Sequence, residues 1–466
     1  MTERRLVWGA CLAVVVTAMP LSAAAAVTWK WGPYLRFRHE YVRNMFDLAD
    51  AVDSSNRDTR HYVRLKTSLW SQLDVDDQLS LYVKLTNENR AHFYFEGTSG
   101  SFPDKQASKK GYHYNLNEVF VENLYVDLKQ VLSLPVDVRL GRQDFIGQYG
   151  EGFLIFDGTP VDGPRSAYFN AAKASWRVNA HNTLDVIYVN DPRTDEFLPV
   201  INRDQLTDFA TRYKKDGNVL TTTDEDGTIV YWKNKALKNV NAEGYYIFKR
   251  EFEENGVGNY ASRKTLLNTV GTFLKCVRAP YTFRVQGASQ WGSYGEKKRT
   301  GLGGYAYVDR ELKEIPVWSP TATVGWLYLS GDDRKTGTQE GWDPLFSQYP
   351  WISDLYLYVL TRETGVPAYW TNLHGLRTQL VLKPTSKSKQ TLGYTYLRAV
   401  EAVPATANPM FSGTSKERGH VLQSKSEYAF NDHATASVVV DCFLPGAFYA
   451  NDDPALFVKT EVVVKF

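Results

Sequence analysis

The sequence predicts an all-β protein, a transmembrane antiparallel β-barrel of about 18 strands (16 without one weak hairpin), with short periplasmic turns and long extracellular loops. Three observations predict it. The last eleven residues, 456–466, read LFVKTEVVVKF. Leu456, Val458, Val462 and Val464 share one parity with the polar exception Thr460, while Phe457, Lys459, Glu461, Val463 and Lys465 hold the other and carry all the charge. That period of two marks a strand with one dry and one wet face. The chain then stops on Phe466 with no polar tail, which in water would leave a sticky edge strand unprotected but in a barrel closes the sheet. At the other end, Arg4 and Arg5 precede an apolar run, Pro20 and a small-residue string up to Ala26. This is a signal peptide, residues 1–26, cut after Ala24 or Ala26, and not a membrane-spanning helix. Finally, the mean hydropathy is −0.38, yet aromatic residues reach 14%, with 29 Tyr and 12 Trp. Barrels combine these values because only alternate residues meet lipid and aromatic belts mark both interfaces. The expected location is the bacterial outer membrane, after signal-peptide cleavage.

Strand segments recur along 27–466, read as one domain. The first, 31–41, sets Leu35, Phe37 and Tyr41 against Arg36, Arg38 and Glu40. In 61–70, Val63, Leu65 and Leu69 oppose Arg64, Lys66 and Ser68. A tight turn at 74–77 leads to 79–86, where Leu79, Leu81, Val83 and Leu85 alternate with Ser80, Tyr82, Lys84 and Thr86. After a loop at about 90–114, the strand 118–125 places Val119, Val121 and Tyr125 on one face and Glu118, Phe120 and Glu122 on the other. Leu134-Pro135 turns the chain into 136–142. Beyond a loop at 143–165 come 167–178 and 183–190, joined by a short turn. The polar stretch 191–227 has no sustained period and reads as a long surface loop. The weaker segments 228–232 and 245–252 form one hairpin, accepted because an odd count would break the alternation of turns and loops. The segments 264–278 and 281–291 flank Ala279-Pro280, and 301–309 pairs with 321–329. A loop at 331–369 precedes 372–383, 390–398, 419–430, 434–442 and the closing strand. Short turns at 74–78, 179–182, 279–280 and 431–433 fall at one end, long loops at the other. Gly301-Leu302-Gly303-Gly304 lies on a strand and is expected to pass close to something bulky.

Charge and motifs narrow the function. Lys+Arg 54 nearly balances Asp+Glu 52, which argues against a nucleic-acid binder. After residue 26 no run approaches the length of a membrane helix. Cys276 and Cys442 lie on strands far apart in sequence and read as separate thiols. There is no nucleophile elbow, metalloprotease motif or phosphate loop, so no enzyme and no cofactor is expected. The eight His have no ligand spacing, and Asp332-Asp333 reads as a solvated loop rather than a calcium or other metal site. What stands out is cationic side chains at wet-face positions: Arg36, Arg38, Arg64, Lys66, Lys84, Arg139, Lys173, Arg377, Lys425 and Lys459. Glu40, Glu118, Glu122, Glu427 and Glu461 are interspersed. One reading is a lumen laced by salt bridges that hold the barrel round. The other is a cationic constriction that attracts a polyanion, with carboxylates keeping the arginine forks extended.

The stretch 138–171, VRLGRQDFIGQYGEGFLIFDGTPVDGPRSAYFNA, resembles the alginate export family of outer-membrane porins. The resemblance is carried by Gly141-Arg142-Gln143, Asp157-Gly158, Asp162-Gly163 and Arg165. The preceding Asn117–Glu122, Ser330-Gly331-Asp332-Asp333 and Asp343-Pro344-Leu345-Phe346 resemble family positions too. Asp144 departs from the pattern, standing where a basic residue can occur. Phe466 resembles the assembly signal of bacterial outer-membrane proteins. The resemblance implies an eighteen-stranded barrel with an electropositive pore that passes a polyuronate outward. Arg139, Arg142 and Arg165, with Glu118 and Asp157, then become the foremost pore candidates. The implied partners are an anionic polysaccharide, outer-membrane lipids, the barrel assembly machinery and periplasmic secretion components, around a monomer. A small-solute porin of the same architecture is the alternative. From another class, a surface receptor or adhesin would act through the 191–227 and 331–369 loops.

Overall fold

The computed structural model describes residues 27–45, 47–49, 60–95, 113–115, 119–156, 169–193, 195, 197–201, 223–252, 264–347, 349–366 and 368–466. The signal-peptide expectation, together with Glu118, Asp157 and Arg165, lies outside them.

Eighteen antiparallel strands close into one barrel. They are β1 (Thr28–Arg43), β2 (Arg60–Asp74), β3 (Leu79–Phe95), β4 (Val119–Leu128), β5 (Val136–Gln143), β6 (Phe169–Arg177), β7 (Asn182–Asp191), β8 (Glu225–Asn234) and β9 (Val240–Glu251). The circuit continues through β10 (Thr265–Arg278), β11 (Tyr281–Tyr294), β12 (Lys297–Glu311), β13 (Thr321–Leu329), β14 (Leu373–Thr385), β15 (Ser388–Arg398), β16 (Glu417–Ala429), β17 (Ala434–Pro445) and β18 (Ala455–Lys465). Each pairs with its sequence neighbours. The terminal segment closes the ring by pairing β18 with β1, from Tyr34↔Lys465 to Arg43↔Leu456. Closure removes every free edge, which is how so long an apolar ribbon escapes aggregation. The weak hairpin is present as β8 and β9, in register from Glu225↔Glu251 to Asn234↔Ala242.

Parity sorts the side chains as the sequence predicts. Leu35, Phe37, Leu65, Leu69, Val270, Val324 and Val462 are exposed on the outer, lipid-side parity, while Arg36, Arg38, Arg64 and Lys66 are buried on the inner one. Trp29, Trp31, Trp176, Trp232, Trp318 and Tyr428 stand exposed near the short-turn end, where both described termini lie, and form one interfacial belt. Cys276 and Cys442 are unpaired and sit on outer-parity positions of β10 and β17.

The structure corrects four details. Tyr125 does not share a face with Val119 and Val121. A bulge shifts the register so that Lys84 meets Asn123 while Leu85 meets Val121, and Tyr125 turns inward onto Tyr82, ring centroids 4.9 Å apart. One extra residue reverses every side chain beyond it. The end rule has exceptions too: β11 and β12 are joined at the long-loop end by Gly295-Glu296, with Gly295 at φ 58°, and the 312–320 connection at the opposite end is broad. Within 191–227, Val200–Ile201 pairs with β4 and β8 already begins at Glu225. The largest departure is that the loops expected at 143–165 and 331–369 carry segments that fold into the lumen and supply much of the apolar core, including Phe145, Tyr149, Phe153, Trp342, Trp351, Leu355 and Trp370.

Candidate functional site

The site is the lumen, and two inserted segments define it. They join through a short parallel pairing of Ile155–Phe156 with Phe346–Ser347. The second carries a helix, α1 (Asp354–Thr364). The chain specifies it locally. Ser353 is the N-cap and accepts a hydrogen bond from the Tyr356 amide, Asp354 and Arg362 complement the helix dipole, and Gly365 ends it at φ 80°. Leu355, Tyr356, Leu357, Val359 and Leu360 are buried, and Tyr356 meets Phe443 of β17 edge-on at 5.1 Å. Inner-parity Gly303 of β12 makes room for Trp342: a Cβ there would lie 2.6 Å from its ring. The bulky neighbour expected beside the Gly301–Gly304 run is this indole.

Basic residues of the wall hold the inserts. Lys459 donates to Asp354, and the Leu355 amide donates to Asp441 of β17 at 3.2 Å. Arg418 Nη1 donates to both oxygens of Glu363, at 2.7 and 2.6 Å, and to the Tyr356 and Tyr449 hydroxyls. Arg299 lies 3.1 Å from Asp343, and Lys249 donates to the Leu345 carbonyl at 3.0 Å. Burial disfavours a charged Asp343, but Arg299 and Lys249 outweigh it and hold the carboxyl below the usual carboxylate range. Arg284 bridges Asp309 of the wall and Glu151 of the first insert, each at 2.9 Å.

The sequence-predicted cations separate into three groups. Arg36, Arg38, Arg64 and Lys66 come together on neighbouring strands as a buried lattice. Arg36 contacts Glu88 at 2.6 Å, Arg38 contacts Glu461 at 2.5 Å, and Arg64 reaches Glu40 at 3.1 Å and Glu88 at 2.6 Å. Lys66 and Lys84 share Glu122, each at 3.0 Å, and Thr86 also donates to it. Buried ions need such partners, because desolvation costs several kcal/mol per ion. Arg36, Arg38, Arg64 and Lys66 are no more than 1% exposed, so no transiting solute touches them in this state. Arg139 forms a second group: it grips Asp127 at 2.6 and 2.8 Å and stacks 4.0 Å from the Tyr125 ring. Arg142 is buried beneath the outer connections, bidentate to Asp195 at 2.8 and 2.7 Å. Lys173 donates to Gln148 of the first insert at 2.6 Å.

Arg377 is the third case. Its Nη1 donates to the Trp351 carbonyl at 2.7 Å, and among the described residues it has no carboxylate partner. It lines an internal cavity of about 340 Å³ with Glu151, Arg284, Tyr307, Tyr349, Trp351 and Gln379. A guanidinium, flat aromatic rings and a planar amide thus converge where wall and inserts meet. Sequence reasoning found Arg377 by parity. It missed Arg284, though the same parity along 281–291 points it inward. It missed Arg418 because the bulge at Gly419, φ 115°, breaks the alternation.

A family model described as alginate export matches residues 35–461. The chain belongs to the alginate export family. No curated protein sequence matches it. Among solved structures, OpdK of Pseudomonas aeruginosa, solved with vanillate, is similar at 8% identity and TM-score 0.56, covering 94% of this chain and 98% of that one. OccAB3 of Acinetobacter baumannii is similar at 10% identity and TM-score 0.54, over 94% and 99%. OccK5 (OpdH) of Pseudomonas aeruginosa gives 10% and 0.53, over 94% and 98%. These neighbours share the barrel fold. The alginate export family member described here is an outer-membrane β-barrel channel protein.

Proposed function

We propose that this channel carries an anionic saccharide, such as alginate or its oligomers, across the outer membrane. The observation that supports this reading is Arg377, a guanidinium without a carboxylate partner among the described residues, in one cavity with Tyr307, Tyr349 and Trp351. A guanidinium fork takes a sugar carboxylate in two parallel hydrogen bonds. Aromatic faces offer apolar surface to the C–H face of a pyranose ring. Weak contacts of both kinds suit transport, since a site must release what it binds.

In the state described, the inserts hold the wall bases with their own acids: Glu151 on Arg284, Asp343 on Arg299, Asp354 on Lys459 and Glu363 on Arg418. A polyanion competes for the same groups, so cargo and inserts exclude one another. The Arg36–Arg38–Arg64–Lys66 lattice, with Glu122, then serves chiefly to hold the wall round. Arg139 ties β5 to β4, Arg142, Lys173 and Lys459 position inserts and loops, and Arg377 is the contact residue. Phe466, whose carbonyl accepts from Trp70 Nε1 at 3.2 Å, fits the role of assembly signal at the seam. The 331–369 segment, once a candidate for surface adhesion, lies largely inside the barrel, which disfavours that role.

A second reading has its own support. A cavity of about 340 Å³ suits one ring-sized anion better than a polymer, favouring a small-solute porin. Conductance of the mature protein in planar bilayers tests both. Block by polymannuronate, lost in Arg377→Ala, supports the saccharide channel. Block by a single aromatic carboxylate alone supports the small-solute reading.

A further inference from the structure

We infer that the periplasmic mouth of the lumen holds a separate docking site for an acidic saccharide segment, built on Lys383, Lys389 and Lys425. The inference rests on the saccharide reading above and adds where the cargo is first held.

Beside the inner ends of β14–β18, at the end where Phe466 lies, an open recess of about 630 Å³ is lined by Lys383, Lys389, Lys425, Glu427, Ser388 and Ser437. Lys383 and Lys389 stand on adjacent strands, and Glu427 lies opposite Lys389 on the next. Lys389 reaches Glu427 at 2.6 Å and Lys425 reaches the same carboxylate at 2.9 Å. Lys383 has no carboxylate partner among the described residues. The other lining carboxylate, Glu461, already serves Arg38 at 2.5 Å. Lys389 and Lys425 therefore share one carboxylate, while Lys383 and Lys387, which also lines the recess, have none among the described residues.

Like charges on neighbouring strands are destabilising unless an anion lies between them. An excess of this kind on a wet wall leaves an unmet demand for an anion. In the lattice around Arg36, by contrast, Arg36, Arg38, Arg64 and Lys66 are buried against Glu40, Glu88, Glu122 and Glu461. The lysine side chains are 45% and 41% exposed at Lys389 and Lys425, so the site is accessible in this state. Their parity points them into the lumen, while the neighbouring Tyr428 and Phe430 are exposed on the other side, so a lipid headgroup is not the ligand the wall presents. Adjacent strands lie about 4.8 Å apart, so Lys383, Lys389 and Lys425 span roughly 10 Å. That row suits carboxylates on successive sugar units, with Ser388 and Ser437 placed for their hydroxyls. Being on the periplasmic side, the row collects cargo for outward passage.

Binding to the detergent-solubilised mature protein tests this, using oligomannuronate, a neutral glucan of equal length and inorganic polyphosphate as probes. Oligomannuronate is expected to bind, and the glucan not. Lys383→Gln, which removes no ion pair, is expected to weaken binding severalfold, and Lys389→Gln/Lys425→Gln at least tenfold. Lys235→Gln, an exposed lysine in the β8–β9 turn at the same end of the barrel, is expected to leave this binding unchanged, which separates the recess from general surface charge. If the lysine variants bind oligomannuronate like wild type, or if polyphosphate binds equally well, the assignment is overturned. The readout is binding rather than current, so it stands or falls apart from the conductance test.

Discussion

Gly303→Ala tests whether the inserts gate the lumen. The added Cβ would lie 2.6 Å from Trp342 Cδ2 and 2.7 Å from both Cε2 and Cε3, against the face of the indole. Ordinary carbon contacts sit at about 3.5–4.0 Å, so the ring must retreat by roughly 1 Å. Strand β12 cannot yield, because it is laddered to β11 from Tyr281↔Arg310 to Tyr294↔Lys297 and to β13 on its other side. Trp342 cannot yield freely either: it is 1% exposed and stacked on Phe153 at 5.4 Å. Overpacking of this kind costs about 1–3 kcal/mol, borne by the seated insert. At about 1.4 kcal/mol per tenfold, the unseated population rises roughly 5- to 150-fold. Opening frequency in planar bilayers, without polymer, reads this directly. Trp342→Ala removes the clash, so Gly303→Ala should have little further effect in that background, and a double-mutant cycle measures the coupling. Unchanged opening in Gly303→Ala, or strict additivity with Trp342→Ala, would refute insert gating through this contact.

Three further outcomes follow from the same geometry. Glu363→Gln leaves Arg418 buried without its counter-charge, a loss of about 3–5 kcal/mol that should raise opening frequency and lower the unfolding midpoint in urea. Arg377→Ala removes no ion pair but loses the hydrogen bond to the Trp351 carbonyl, so it should cost no more than about 1–3 kcal/mol of stability while losing polymannuronate block; a larger fall would mean Arg377 is structural. Asp343 titrates below its unfolded value because Arg299 and Lys249 outweigh its burial. Its contribution is therefore present above the ordinary carboxylate range and lost as pH falls through the lower folded value. Opening should rise only in strong acid, and Asp343→Asn should open at neutral pH with that acid step abolished.

The barrel was legible because a strand's period of two survives any pattern of distant pairing. All eighteen segments could be placed, and the wet face of 456–466 was assigned residue by residue. Legibility failed where one residue breaks the period: the bulge beside Asn123 reversed Tyr125, and Gly419 hid Arg418. It failed again for the inserts, since nothing local says that a loop turns inward. Yet Ser353, Asp354, Arg362 and Gly365 spell a capped helix that could have been read. Charge pairing was illegible for a different reason. Arg38 and Glu461 lie 423 residues apart, so whether a wet-face arginine meets a carboxylate or a solute is decided only when the ring closes.

The most direct test of the channel reading is ion selectivity and polymannuronate titration of the refolded mature protein in planar bilayers. An anion-selective pore blocked by polyuronate, with block lost in Arg377→Ala, is the predicted result. A pore without anion preference that ignores polyuronate would leave the barrel standing and contradict the proposed cargo.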